Sequence, residues 1–201
     1  MYAGAQISLH PMSADFVSVI MNALGALDPY RERMRIETDD ISTHLSGAAD
    51  ELFPAMRDLF AAAAATGEHV VLSATVSRGC PGGAGEPEGP EPAFGMIEPL
   101  SANIDACLTA VSAAPVLGQT VAAQFAYYPL GENRHMDGIE ACIAFLSRSG
   151  VLDRPKNFVT KLRGDAGPVF ETLGRSFLCF APAQAHVAMD VTVSANSPSA
   201  R

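Results

Sequence analysis

The sequence predicts an α+β fold: a tandem repeat of two ferredoxin-like β-α-β-β-α-β units with antiparallel sheets. Three observations predict it. The strand-like heptapeptide Ala5-Gln6-Ile7-Ser8-Leu9-His10-Pro11 returns as Ala123-Gln124-Phe125-Ala126-Tyr127-Tyr128-Pro129. Further blocks return in the same order: Thr43-His44-Leu45-Ser46-Gly47 as Thr160-Lys161-Leu162-Arg163-Gly164, Phe53 and Phe60 as Phe170 and Phe177, and His69-Val70 as His186-Val187. Thr75-Val76-Ser77 returns last, as Thr192-Val193-Ser194. Gln124 lies 118 residues after Gln6 and His186 lies 117 after His69, so one net residue is lost between the copies. Finally, the apolar period switches between the two-residue repeat of strands and the 3.6-residue repeat of helices in the order the topology requires. The expected units are residues 1–78 and 119–201, joined by a linker over 79–118. Any functional site is then expected twice.

In the first copy, Ala5 to His10 alternates Gln6, Ser8 and His10 on one face with Ile7 and Leu9 on the other, and Pro11 ends the strand. Ser13 is an N-cap with Asp15 in the first turn, and Phe16, Val17, Ile20, Met21, Leu24 and Leu27 form an apolar stripe. Strands are expected over Arg33 to Glu37 and Ile41 to Leu45, with Asp39 and Asp40 turning between them. A second helix follows over Ala48 to Ala65, ended by Gly67. In the last strand, His69 to Ser77, Val70, Leu72, Ala74 and Val76 take one face and Val71, Ser73, Thr75 and Ser77 the other.

The stretch Gly79 to Pro92 is rich in Gly, Pro and Glu and reads as an exposed linker, followed by one short helix over Ser101 to Ala114. The second copy repeats the course: strand Ala122 to Tyr128, helix from about Arg134 to Ser149, two strands, a helix capped by Asp165, and strand His186 to Ser194.

With 48% hydrophobic and 17% charged residues, the 201-residue chain can bury a core in each unit. A net charge of −9 opposes nucleic acid and anionic membrane as partners but not a cationic small molecule. No apolar run is long enough to cross a bilayer, and a cytoplasmic location is expected. The four cysteines, Cys80, Cys107, Cys142 and Cys179, are widely spaced; reduced thiols without metal are expected. Gly82-Gly83-Ala84-Gly85 lacks the lysine of a phosphate-binding loop, and no nucleophile elbow is present. Neither a cofactor nor catalysis is indicated.

The topology brings the first and fourth strands of each unit together. One face then carries Gln6, Ser8 and His10 beside Ser73, Thr75 and Ser77. Its counterpart carries Gln124 and Tyr128 beside Asp190, Thr192, Ser194 and Asn196. Such faces are polar but almost uncharged, and they offer the mixed donors and acceptors that suit a neutral heterocycle with an amino group and ring nitrogens. The alternative is a solvated sheet face. Thr43 and Thr160 share the opposite, helix-facing side with Leu45 and Leu162. If the pocket lies between sheet and helices, these two threonines enter it while Gln6 and Ser8 do not.

The strand-plus-proline pattern in both copies and the Thr-x-Leu-x-Gly turn resemble the YkoF-type family of thiamin/hydroxymethylpyrimidine-binding proteins. So do the endings Ser77-Arg78-Gly79-Cys80-Pro81-Gly82 and Ser194-Ala195-Asn196-Ser197-Pro198-Ser199. The resemblance covers both repeats. It implies a homodimer and a non-enzymatic binder of thiamin or its hydroxymethylpyrimidine precursor, with one site per repeat. It also implies a role in thiamin salvage or uptake beside a membrane uptake system. The rivals are an enzyme acting on a related heterocycle and a structural dimer without ligand. For such a ligand, Gln6 and Gln124 would bond the pyrimidine, and His10 and Tyr128 would stack on it. Asp190, where the first copy has Ser73, would balance a thiazolium and make the second repeat the tighter thiamin site. Sheet-to-sheet packing of a homodimer would wall these pockets.

Overall fold

Strands that alternate apolar and polar residues must cover their apolar side, and an edge strand must also find a partner for its backbone. In the computed structural model, which describes residues 2–80, 94–131, 133 and 135–199, two such edges solve both problems together. Strand β4 (Val70–Cys80) pairs antiparallel with β8 (His186–Ala195), from Val70↔Ala195 to Arg78↔Val187. The pairing fuses the sheets of the two repeats into one of eight strands.

The remaining elements of the first repeat are β1 (Tyr2–Pro11), α1 (Phe16–Leu24), a 3-10 segment Gly25–Tyr30, β2 (Arg35–Thr38), β3 (Thr43–Ser46) and α2 (Ala49–Ala64). After α3 (Leu100–Ser112), the second repeat adds β5 (Thr120–Leu130), α4 (His135–Arg148), β6 (Leu152–Pro155), β7 (Thr160–Asp165) and α5 (Ala166–Cys179). The strand order is β2-β3-β1-β4-β8-β5-β7-β6, which is 4-1-3-2 within each repeat, with the first and fourth strands adjacent as expected.

The seam is pseudo-symmetric. Ser73 faces Thr192 and Thr75 faces Asp190, so positions 117 apart exchange roles. His69 Nε2 lies 3.1 Å from Ser194 Oγ, and His186 Nε2 lies 3.2 Å from Ser77 Oγ. These histidines are strand-end ties. On the apolar side, α2 and α5 meet over the seam, and the repeated phenylalanines pair crosswise: Phe53 with Phe177 at 5.7 Å and Phe60 with Phe170 at 5.8 Å. Tilted ring pairs of this kind add about 0.5–1.5 kcal/mol each beyond their burial.

Among the described residues, one buried cation stands in this core. Arg78 is 1% exposed and lies over the Phe177 ring. Its guanidinium donates to the carbonyls of Phe177 and Leu178 at the end of α5 and of Pro182, Ala183 and Ala185 beyond it. A helix C-terminus leaves such carbonyls unpaired and partly negative, which is what a planar five-donor cation satisfies. Burial pulls its pKa down.

Several boundaries differ from the expected ones. Helix α1 starts at Phe16; Ser13 accepts from Asp15 N at 3.2 Å and donates to Glu68 instead of capping the helix. Its buried residues are Val19 and Ala23, while Phe16, Val17 and Met21 of the expected stripe are more than half exposed. The helix is turned so that Val19 and Ala23 meet the core, while Ile20 and Leu24 of the stripe line a cleft. Strand β3 starts at Thr43 because the Asp39 carboxylate accepts from Ile41 N and Ser42 N, both at 2.8 Å, drawing those residues into the turn. Residue 134, the expected start of α4, and residues 81–93 of the expected linker lie outside the described residues. Helix α3 packs on α4 and α5, and Asn103 Nδ2 donates to Cys179 O at 2.7 Å.

Candidate functional site

Each repeat has a notch beside its first strand. β1 runs to Pro11, but its pairing with β3 ends at Ile7↔Thr43. β5 runs to Leu130, but its pairing with β7 ends at Phe125↔Thr160. Over each notch curls the tip of a hairpin, closed by Asp39 N→Ser42 O (3.0 Å) in the first copy and Lys156 N→Val159 O (2.8 Å) in the second.

The space beneath each tip is a cleft. The first, about 180 Å³, has Ile7, Leu9 and Leu59 as floor, Ile20 and Leu24 of α1 as one wall, and Thr38 to Thr43 as the other. The second, about 170 Å³, has Phe125 and Tyr127 as floor, Ile139, Cys142, Ile143 and Leu146 of α4 as one wall, and Lys156, Phe158, Val159 and Thr160 as the other. The two are related by the repeat. The second is largely apolar, with Lys156 and Thr160 as its polar groups, while the first sets an apolar floor and helix wall against a mostly polar hairpin. Mixed linings of this kind are usual in small-molecule sites.

The polar groups differ between copies. In the first, Thr43 is buried with its Oγ1 2.9 Å from Thr38 Oγ1. Bonds from the backbone N–H groups of Ile41 and Ser42 hold the Asp39 carboxyl below its ordinary range. In the second, Lys156 Nζ donates to Gln124 Oε1 at 3.1 Å. Tyr127 has a buried hydroxyl without a hydrogen-bond partner among the described residues, and burial raises its pKa. Burial also pushes the Cys142 thiol up to about 12.

The sequence-derived candidates divide between two surfaces. Thr43 lines the first cleft and Thr160 the second, and Gln6 stays out, as expected for a pocket on the helix side. Ser8, expected to stay out as well, lines the first cleft because the hairpin tip it bonds at Ile41 O curls over the strand edge. The open sheet face holds Gln6, His10, Ser73, Thr75, Ser77, Gln124, Tyr128, Asp190, Thr192 and Ser194. Many of these are already bonded within the protein. Gln6 Nε2 donates to Ser42 Oγ at 2.7 Å and its Oε1 accepts from His44 Nδ1 at 2.9 Å. Ser8 Oγ donates to Ile41 O at 3.0 Å. Gln6, Ser8 and Gln124 thus anchor the hairpins that roof the clefts. Asp190 accepts from Thr75 Oγ1 at 2.8 Å at the seam and lines neither cleft, although its strand partner Ala126 lines the second. Asn196 donates to Ala64 O and Glu68 O, tying the end of β8 to the loop before β4.

Sequence reasoning passed over the hairpin tips. Ile41 is 79% exposed and Phe158 90%, although both are large and apolar. A big apolar residue inside a polar turn, recurring 117 residues later, is the signal that marks them. Among the described residues, no group of His, Cys, Asp or Glu is arranged to hold a metal, and no helix is long and apolar enough to cross a membrane.

The model of the YKOF-related family matches residues 2–83 and again residues 120–200. A Bacillus subtilis (strain 168) protein named "Putative HMP/thiamine-binding protein YkoF" is 34% identical over 197 residues, 98% of this chain and 92% of that protein.

Proposed function

Because the chain belongs to the YKOF-related family, we propose that it binds thiamin or its hydroxymethylpyrimidine (HMP) moiety without turnover, one molecule in each cleft. The observation that carries this reading is the pair of repeat-related clefts, each opening on a strand edge beyond its last paired residue. An aminopyrimidine presents a donor and an acceptor side by side. The free edge of a strand presents the complementary pair, and the threonine of each cleft (Thr43, buried, and Thr160, half-buried) and the apolar floor supply a further polar contact and a surface for the ring. Clefts below the roughly 300–1,000 Å³ of pockets for drug-sized ligands take one ring, leaving a second ring or substituent at the mouth.

Binding without chemistry fits the groups present. Cys142, the thiol on the second cleft's wall, is buried with its pKa pushed up to about 12, the reverse of an activated nucleophile. The biological role is then salvage or uptake of thiamin, beside a membrane uptake system. The open sheet face, with Gln6, Thr75 and Thr192 near its middle, supports the assembly of two chains face to face. In such a homodimer the clefts keep walls from one chain only, because α1 and α4 complete them.

Calorimetric titration with thiamin and with HMP tests the reading. Two equivalents bound per chain, with the ligand recovered unchanged, is the expected result. Absence of heat with both compounds, or a chemically altered ligand, overturns it.

A further inference from the structure

The two clefts are equivalent in position and opposite in charge. The hairpin 35–43 carries Arg35, Glu37, Asp39 and Asp40, a net charge of −2. Its counterpart 152–160, of equal length and 117 residues later, carries Asp153, Arg154 and Lys156, a net charge of +1. Of these residues, Asp39 and Asp40 line the first cleft and Lys156 the second.

Asp39 and Lys156 are the same position of the repeat, and each opens the bond that closes its hairpin. Two backbone N–H bonds at 2.8 Å fix the Asp39 carboxylate at the rim in its ionised form. The Lys156 ammonium donates to the neutral amide of Gln124, which leaves its charge uncompensated by that contact. A ring seated on either floor therefore places its substituent against a fixed charge, negative in one repeat and positive in the other.

We propose that the two clefts sort their ligand by charge: the first takes an aminopyrimidine bearing a cationic substituent such as a thiazolium, the second one bearing an anionic phosphate ester. This rests on the clefts being the heterocycle sites. It also moves the cation preference from the second repeat to the first, since Asp190 stands on the open face bonded to Thr75. Rim charges are screened by water, so each is worth only about a threefold to tenfold change in affinity at low salt.

Amide chemical shifts of the 15N-labelled chain read the two hairpins separately. The probes are neutral HMP, thiamin, the phosphate ester of HMP, and inorganic phosphate. Neutral HMP is expected to shift residues 38–43 and 156–160 at similar concentrations. Thiamin should shift 38–43 at a concentration at least about threefold lower than 156–160, and the phosphate ester should do the reverse. Salt at 0.5 M should erase both preferences, and Lys156→Asp should turn the second cleft toward thiamin. Equal response of both hairpins to all three heterocycles, or a preference unmoved by Lys156→Asp, overturns the proposal. Shifts from inorganic phosphate matching those from its ester would make the second cleft a bare anion site and overturn it as well. If neutral HMP moves neither hairpin, the binding reading itself fails and takes this inference with it.

Discussion

Phe158→Ala separates binding from folding. The side chain is 90% exposed at the tip of the second hairpin, so truncating it removes almost no packing from the free protein. Exposed substitutions of that kind change stability by within about 0.5 kcal/mol. A ring entering the cleft lies under this tip and covers one side of the phenyl group. Half the roughly 200 Å² of an aromatic side chain, at about 25 cal/mol per Å², is about 2.5 kcal/mol. Ordering a free side chain takes back about 1 kcal/mol, which leaves about 1.5 kcal/mol, or tenfold in Kd. HMP titration followed by amide shifts of residues 156–160 measures this directly, with thermal unfolding as the control. Expected are about tenfold weaker binding in the second cleft, no change in the first, and an unchanged Tm. Unaltered affinity would show that Phe158 never touches the ligand. A large fall in Tm would show that the residue is packed and the reasoning from its exposure mistaken.

Arg78→Met should destabilise the chain by about 3 kcal/mol or more in denaturant unfolding, because five buried or half-buried carbonyls lose their donor; a loss under 1 kcal/mol would show that water replaces it. Asp165→Ala should cost about 2 kcal/mol, since this carboxylate caps α5 at Gly167 N and gathers the N–H groups of Leu117, Gly118 and Gln119. Burial raises the Asp165 pKa but the four N–H bonds outweigh it, so the net shift is downward. The stabilisation is therefore complete above the ordinary carboxylate pKa of about 4 and fades as pH falls toward the lower folded value, and acid unfolding of Asp165→Ala should show a flatter pH dependence there. Asp190→Ser should leave HMP affinity in both clefts unchanged; a drop at the second would return the site to the open face.

The fold was largely legible in the sequence, because the repeat and the two-residue alternation act locally and are written twice. Val70, Leu72, Ala74 and Val76 face the helices as their alternation requires, and Asp165 caps its helix. The fusion of the two sheets was not legible: alternation says which way Ser73 and Thr192 point, and not that their backbones pair. The apolar period of α1 likewise does not reveal which part of a wide stripe meets the sheet. Parity with Leu45 and Leu162 puts Thr43 and Thr160 on the helix-facing side, and each lines a cleft. Gln6 was a natural ligand contact by residue type. Its partners Ser42 and His44, about forty residues away in sequence, are set only by the register of β1 on β3.

A crystal structure of the chain with HMP bound tests the central claim most directly. Density for a single ring is expected under each hairpin tip, bounded by Thr43 and Ile41 in the first repeat and by Thr160 and Phe158 in the second. Density on the open sheet face against Gln6 and Thr75, with both clefts empty, would contradict it.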